Sequence, residues 1–219
     1  MAGLARTDEL LAALRREGVA RRYGAGEALF LEGDIGDRVF VVERGWVAIR
    51  ITGRDGADVV LALRGPGEIL GELSALDGKP RSAEAVAATQ VEAAVAPASA
   101  LRRLVDERHG AALGLLAVTA DRLREADRRR HEFATMDTLG RVASRLVELS
   151  ARFGVPDAVG TRVDLPLAQD QLASWCGASR EATVKALRTL RDLGIVTTGR
   201  RTVTVLDPAR LEQAARGRA

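Results

Sequence analysis

The chain has 219 residues, of which 47% are apolar and 29% charged, and carries a net charge of +3. That length accommodates two modest cores, and the composition is that of an ordinary globular protein rather than a disordered chain. A single cysteine excludes an internal disulfide, a four-cysteine zinc site and an iron–sulfur cluster built within one chain; two histidines give little basis for a histidine metal site; and no apolar run nears the ~20 residues of a membrane span.

The first residues, MAGLARTDELLAALRREG, mix acids and bases throughout, unlike a secretory leader, so a soluble protein of the reducing cytoplasm with no membrane partner is expected. Charge is unevenly spread. From Thr138 onward there are 13 Lys and Arg against 8 Asp and Glu, leaving 20 against 22 before it. A positive balance in the last third is where a polyanion would bind.

Residues 7–17 show helical spacing through Leu10, Leu11 and Leu14. From about 23 to 97 the texture changes to short apolar runs punctuated by glycine: VFVVERGWVAIRI (39–51), ADVVLALRGPGE (57–68) and AEAVAATQVEAAVAP (83–97). Short strands with turn signals at such intervals predict a compact β-barrel or roll, although the alanine of the last run favours helix by propensity alone. Pro97 ends the pattern. A short helix follows over 99–108, Gly110 breaks it, and a long helix reaches about Met136. Its apolar positions Leu113, Leu116, Ala120, Leu123, Phe133 and Ala134 lie mostly on one seam, as in a two-stranded coiled coil. Asp137 and Thr138 restart a helix over 139–152, and Gly154, Pro156 and Gly160 signal a loop. The fold class is α+β, with boundaries that give 1–109 to the β-roll with flanking short helices, 110–137 to a dimerisation helix and hinge, and 138–219 to a DNA-binding domain.

The strongest motif lies at 167–196, LAQDQLASWCGASREATVKALRTLRDLGIV. Two helices flank a tight turn at Cys176-Gly177-Ala178. The first turns Leu172 and Ala173 inward; the second turns in Ala182, Val184 or Thr183, Leu187 and Leu190. Ser179 is the expected N-cap, with Ala182 where a capping box would have Glu or Gln. Gly194 ends the second helix, and residues 195–206 read as a hairpin with Gly199-Arg200-Arg201 at its tip. Helix, turn, recognition helix and basic-tipped hairpin describe a winged helix-turn-helix on double-stranded DNA. Arg180, Glu181 and Lys185 stand where side chains enter a major groove: Arg forks onto guanine O6 and N7, and Glu accepts from cytosine N4. Arg200 and Arg201 would hold the phosphate backbone. Cys176 reads either as a redox-sensing thiol or as a small packed residue, and the lack of a resolving cysteine favours packing.

A second motif is GEILGELSALDGKPRSAEAVA (67–87). A turn of helix starting near Glu72 would aim free backbone N–H groups at an anion, Arg81 would pair with it, and Ser82 would add a hydroxyl. Glu72 could accept from a sugar hydroxyl.

Together these features resemble the family of the catabolite activator (cyclic-AMP receptor) and FNR-type bacterial transcription regulators. The resemblance spans about 20–206, anchored on Gly71-Glu72-Leu73 with Arg81-Ser82-Ala83, on Asp137-Thr138-Leu139-Gly140-Arg141-Val142, and on Ser179-Arg180-Glu181. It implies that the β-roll is a cyclic-nucleotide-binding domain in which Gly71, Glu72, Leu73, Arg81 and Ser82 hold the sugar and cyclic phosphate, with Arg122 near the nucleotide. It also implies a homodimer on a palindromic site, with RNA polymerase as a further partner. The chain departs from the family in three places. It lacks the cysteines of FNR-type cluster binding, it has no histidine in the β-roll, and Ala126-Asp127 stand where adenine-contacting members carry Thr-Ser.

On the heptad through Leu113 and Ala120, Asp127 falls on the dimer seam. A carboxylate there can accept from guanine N1–H and N2–H, which favours a guanine-type nucleotide over cyclic AMP, or it can pair with Arg130, Arg124 or Arg128. A ligand-gated regulator is therefore expected, with an effector-independent regulator carrying a vestigial sensor as the alternative. Nothing supplies the nucleophile–base pair, metal cluster or phosphate loop of an enzyme.

Overall fold

In a computed structural model, the described residues are 2–53, 58–164, 167–199 and 201–217, with side chains from Thr7 onward. Their contacts divide the chain into two units, Met1–Ala126 and Asp127–Ala219.

The first unit opens with α1 (Ala2–Glu17), followed by β1 (Val19–Tyr23), β2 (Ala28–Phe30), β3 (Arg38–Arg44), β4 (Val47–Thr52), β5 (Asp58–Arg64) and β6 (Ile69–Leu70). A short α2 (Glu72–Asp77) interrupts the strands, which resume as β7 (Glu84–Ala87) and β8 (Val91–Pro97) before α3 (Ala98–Glu107). Two antiparallel sheets result, in orders β1-β8-β3-β6 and β2-β7-β4-β5.

The period-two alternation of β3 shows how the roll is built. Val39 and Val41 join a core with Leu10, Leu14, Leu101 and Leu115, while Phe40 and Val42 join a second core with Val47, Leu70 and Ala85. The first sheet is thus covered on both faces, by helices on one side and the second sheet on the other. Being buried on both faces, β8 places Ala94 and Ala96 against the helices and Val91 and Ala93 towards the roll. Its alanines are a packing requirement and not a helix signal. The 83–97 run is two strands and not one, split by a turn at 88–90, with β7 pairing β2 and β4 while β8 pairs β1 and β3. Gly45 turns β3 into β4 at φ 79°, where a Cβ would lie 2.0 Å from the Gln90 carbonyl oxygen.

A long helix, α4 (His109–Thr135), runs across the division between the units. In the first unit its Ala111 and Leu115 are buried in the helical core and Val118 packs against it, while Leu116 and Leu123 are 64% and 59% exposed.

The second unit continues through α5 (Thr138–Phe153), β9 (Gly154–Asp157), β10 (Gly160–Asp164), α6 (Gln169–Trp175), α7 (Arg180–Asp192), β11 (Val196–Gly199), β12 (Thr202–Val205) and α8 (Pro208–Ala214). Asp137 caps α5, its Oδ1 accepting from the Gly140 N–H at 2.8 Å. The segment expected as a loop after Gly154 is instead a hairpin, β9–β10, that widens the wing into a four-stranded sheet, β11-β12-β10-β9. Its Val155 and Pro156 alternate too weakly with polar residues to announce a strand. α8 was not foreseen either; Asp207 caps it, with Pro208 at its first position.

Buried charge joins the end of α4 to α5. The Arg145 guanidinium, 2% exposed, pairs with Glu132 and, at 3.0 Å, with Glu148. Ser144 Oγ donates to Glu132 at 3.1 Å, Arg128 pairs with Glu132 at 3.2 Å, and the Trp175 ring lies 5.3 and 5.4 Å from the guanidinium carbons of Arg129 and Arg145. Phe133 belongs to this joint as well as to the exposed seam. A Cβ on Gly177 would sit 2.3 Å from its ring, and Arg141 stacks on it at 4.9 Å.

Candidate functional site

Two groups of side chains stand out, one in each unit. In the first, the loop between β2 and β3 clips the backbone of the Arg81 loop: the Gly33 N–H donates to the Arg81 carbonyl and the Arg81 N–H to the Asp34 carbonyl, both at 2.9 Å. This directs the Arg81 side chain inward, where it is 3% exposed. Its two terminal nitrogens donate to the carbonyls of Gly71 and Arg38 at 2.5 Å each, and its guanidinium carbon lies 4.5 Å from the Phe30 ring centroid. The buried Nε has no partner, and among the described residues no carboxylate forms an ion pair with the group. Burial pulls the Arg81 pKa down, opposed by the more distant charges of Asp37, Glu72 and Asp34.

Gly71 is what permits this approach. It sits at φ 78° immediately before α2, and a Cβ there would meet Arg81 Nη1 at 2.5 Å. α2 begins at Glu72 as expected, so the first N–H groups of that helix lack intrahelical partners beside the Arg81 loop. Glu72 is 1% exposed and does not stand free; its carboxylate is held by Arg122 from α4, which also donates to the Ile69 carbonyl. Leu73 and Ser82 are exposed. The fold therefore brings together Gly71 and Glu72, Arg81, and Arg122 from three separate stretches. Phe30 and the Arg38 carbonyl complete the setting, and sequence reading missed both because neither lies near the cassette in the chain. Asp127, in the second unit, is exposed and paired with Arg130, one of the three arginines foreseen as partners.

In the second unit, α6, a turn with Gly177 at φ 59°, and α7 form the helix-turn-helix. Ser179 Oγ caps α7 by accepting from the Ala182 N–H at 3.1 Å. Arg141 fixes the turn, donating to the carbonyls of Cys176 and Met136 at 2.8 Å each. Its place in the 137–142 anchor was legible, but not this clamp. Cys176 is packed inside, and burial pushes its thiol up to about 12, so the packed reading holds in the structure.

On α7, Thr183, Ala186 and Leu190 are buried, and Arg180, Glu181, Val184, Lys185 and Arg188 are exposed. Of the two readings for the inner face, Thr183 takes the place and Val184 faces out; Ala182 and Leu187 are only half-buried, and Ala186 fills the core position instead. Asp170 of α6, not singled out in the sequence, lies 3.5 Å from the Arg180 guanidinium. In the wing, Gly199 pairs with Thr202, and Arg201 is exposed at φ 58°; Arg200 lies outside the described residues. No helix among the described residues is long and apolar enough to cross a membrane.

Residues 20–108 match the cyclic nucleotide-binding domain family and residues 140–214 the Crp-like helix-turn-helix domain family. The chain is 34% identical over 206 residues, 94% of its own length and 92% of the other's, to the CRP-like cAMP-activated global transcriptional regulator of Mycobacterium tuberculosis. It is 35% identical over 197 residues, 90% and 88% of the two lengths, to the cyclic AMP receptor protein of Thermus thermophilus. A solved CRP-family transcriptional regulator from Thermus thermophilus matches with a TM-score of 0.78 at 26% identity, covering 89% of this chain and 96% of that one.

Proposed function

The chain belongs to the CRP/FNR family of transcription regulators, and from that premise we propose that it is a homodimer that binds palindromic DNA under the control of a cyclic nucleotide. Arg81 carries the effector half of this reading. A guanidinium held almost fully out of water with no carboxylate in ion-pair contact is a costly arrangement, and a phosphate diester in the roll would supply a direct counter-charge. Gly71, Leu73 and Ser82 then line the sugar-phosphate, and Glu72, steadied by Arg122, accepts from a ribose hydroxyl. The exposed Leu116 and Leu123, seven residues apart on α4, continue the seam of Leu113, Ala120 and Ala134 and favour a second copy as partner. Arg180 and Glu181 read base edges, Lys185 reads a base or a nearby phosphate, Ser179 secures the start of their helix, and Arg201 with Arg200 grips the backbone of half-sites ~10 bp apart. RNA polymerase is a further partner by likeness to the family.

Calorimetric titration with cyclic AMP and cyclic GMP, alongside DNA binding with each nucleotide and with none, tests the reading. One nucleotide is expected to bind and to tighten DNA binding. Asp127 separates the bases: released from Arg130, its carboxylate accepts from guanine, and Asp127→Ser then abolishes a preference for cyclic GMP. Binding of neither nucleotide, with DNA affinity unchanged, would leave an effector-independent regulator with a vestigial sensor.

A further inference from the structure

On α7 the order of two adjacent side chains runs against their polarity. Thr183 is 2% exposed and its buried hydroxyl has no hydrogen-bond partner, whereas the aliphatic Val184 is 36% exposed. An unbonded buried hydroxyl is unfavourable, and a solvated valine forgoes the gain of burial, so packing alone would favour the two residues exchanged. Valine is also a poor choice for an exposed helical position, because its β-branch restricts χ1 against the preceding turn. Folding gives no reason for valine at 184.

The face it occupies gives one. At 3.6 residues per turn, Val184 lies one turn beyond Arg180 and among Glu181, Lys185 and Arg188, all exposed, while Thr183, Ala186 and Leu190 are buried on the opposite side. The first turns after the N-cap are the part of a recognition helix that meets base edges. Arg180, Glu181 and Lys185 offer hydrogen-bonding groups there; Val184 offers only methyl groups. The apolar feature that a base pair presents in the major groove is the C5-methyl of thymine. We propose that Val184 is a specificity-determining residue that packs on the C5-methyl of one thymine in each half-site, between the bases read by its polar neighbours. This rests on α7 being the recognition helix and adds an apolar contact to its polar readout.

The test uses the full-length protein and a site obtained by randomised-site selection, with and without cyclic AMP. Each thymine of a half-site is replaced singly by deoxyuridine, which removes the methyl group and keeps the hydrogen-bonding edge. One position per half-site is expected to weaken binding roughly three- to five-fold, the value of one methyl group withdrawn from water. At that position 5-methylcytosine should bind better than cytosine. Val184→Ala should bind the thymine and deoxyuridine sites equally while keeping the wild-type melting temperature. Indifference of the wild type to deoxyuridine at every thymine, or a deoxyuridine effect that persists in Val184→Ala, overturns the proposal. Arg180→Ala on the same sites separates the two readings. If it relaxes preference at its own base pair while Val184→Ala changes nothing, α7 remains the recognition helix and only the valine contact falls. If neither variant alters base preference, both fall.

Discussion

Replacing Arg81 by leucine separates a structural arginine from one kept for a ligand. The substitution removes two hydrogen bonds from a charged donor to the Gly71 and Arg38 carbonyls, about 1.5–3 kcal/mol each, and a cation–π contact with Phe30 of order 0.5–2 kcal/mol. Against this, it relieves the burial of an ion without a carboxylate partner, a penalty of several kcal/mol, and adds the roughly 1.5–3 kcal/mol of a buried leucine. Gly71 O also keeps the Ala75 N–H at 3.3 Å and is not orphaned. The opposing contributions nearly cancel, so the unliganded variant should lie within about 2 kcal/mol of wild type in denaturant unfolding. The liganded state is where the two must differ. At a cyclic nucleotide concentration a hundred times the dissociation constant, the wild type gains about 2.7 kcal/mol and the variant nothing. A loss above about 3 kcal/mol without ligand, as for breaking a buried ion pair, would make Arg81 structural. A full ligand-induced shift in Arg81→Leu would equally refute the anion site.

Four further outcomes follow from the same geometry. Gly71→Ala places a Cβ 2.5 Å from Arg81 Nη1 at a positive φ, and should cost about 1–2 kcal/mol of stability while weakening nucleotide binding by at least tenfold in calorimetry. A double-mutant cycle with Glu132→Gln and Arg145→Met, followed by Trp175 fluorescence in a Trp46→Phe background, should give a coupling of about 2–4 kcal/mol; below 0.5 kcal/mol the joint of α4 and α5 does not depend on that pair. The Cys176 thiol, raised from 9.0 to about 12 by burial, is neutral in the folded state where an unfolded chain would ionise; its stabilising contribution is complete below pH 9 and is lost as pH rises towards 12, by up to about 1.4 kcal/mol per unit, so urea unfolding of Cys176→Ala at pH 8 and 10 should show a shallower decline than wild type. Leu116→Glu with Leu123→Glu should convert a dimer to a monomer in sedimentation without unfolding the β-roll, since both side chains are exposed in the protomer.

What the sequence announced and what it concealed divide along physical lines. The strand-and-glycine texture of 23–97 is a local signal, and the roll follows it; so is the 167–196 spacing, where turn, cap and helix appear in order. The split of 83–97 was hidden because alanine serves equally in a helix and in a strand buried on both faces, and only the pairing of β7 and β8 with different sheets decides. The β9–β10 hairpin was hidden because its pairing partner, β12, lies 40 residues on. Of the sensor residues, Gly71, Glu72 and Arg81 form a contiguous cassette and could be read directly. Phe30 and the Arg38 carbonyl reach Arg81 from strands with no pattern that points to it. The choice between Thr183 and Val184 could not be made from polarity, since the structure seats them against it.

The use of arginine in this chain explains why one of them matters more than its neighbours. Arg64 pairs with Glu125 at 2.9 Å, Arg122 with Glu72, and Arg145 with Glu132 and Glu148; each of these three guanidinium groups meets a carboxylate inside its own unit. Arg141 meets carbonyls and a ring instead of a carboxylate, but it is only half-buried, so water screens its charge while it fixes the helix-turn-helix turn. Arg81 has the same kinds of partners without that access to water. Its carbonyls satisfy hydrogen bonds but cannot neutralise a full charge, which only an anion can do. The fold binds this charge to the carbonyl of Gly71, the residue immediately before α2. An anion that engages Arg81 therefore acts on the start of α2 and on Glu72, which Arg122 ties to α4. On the proposed reading, an anion at Arg81 is coupled to α4 through contacts made entirely within the first unit.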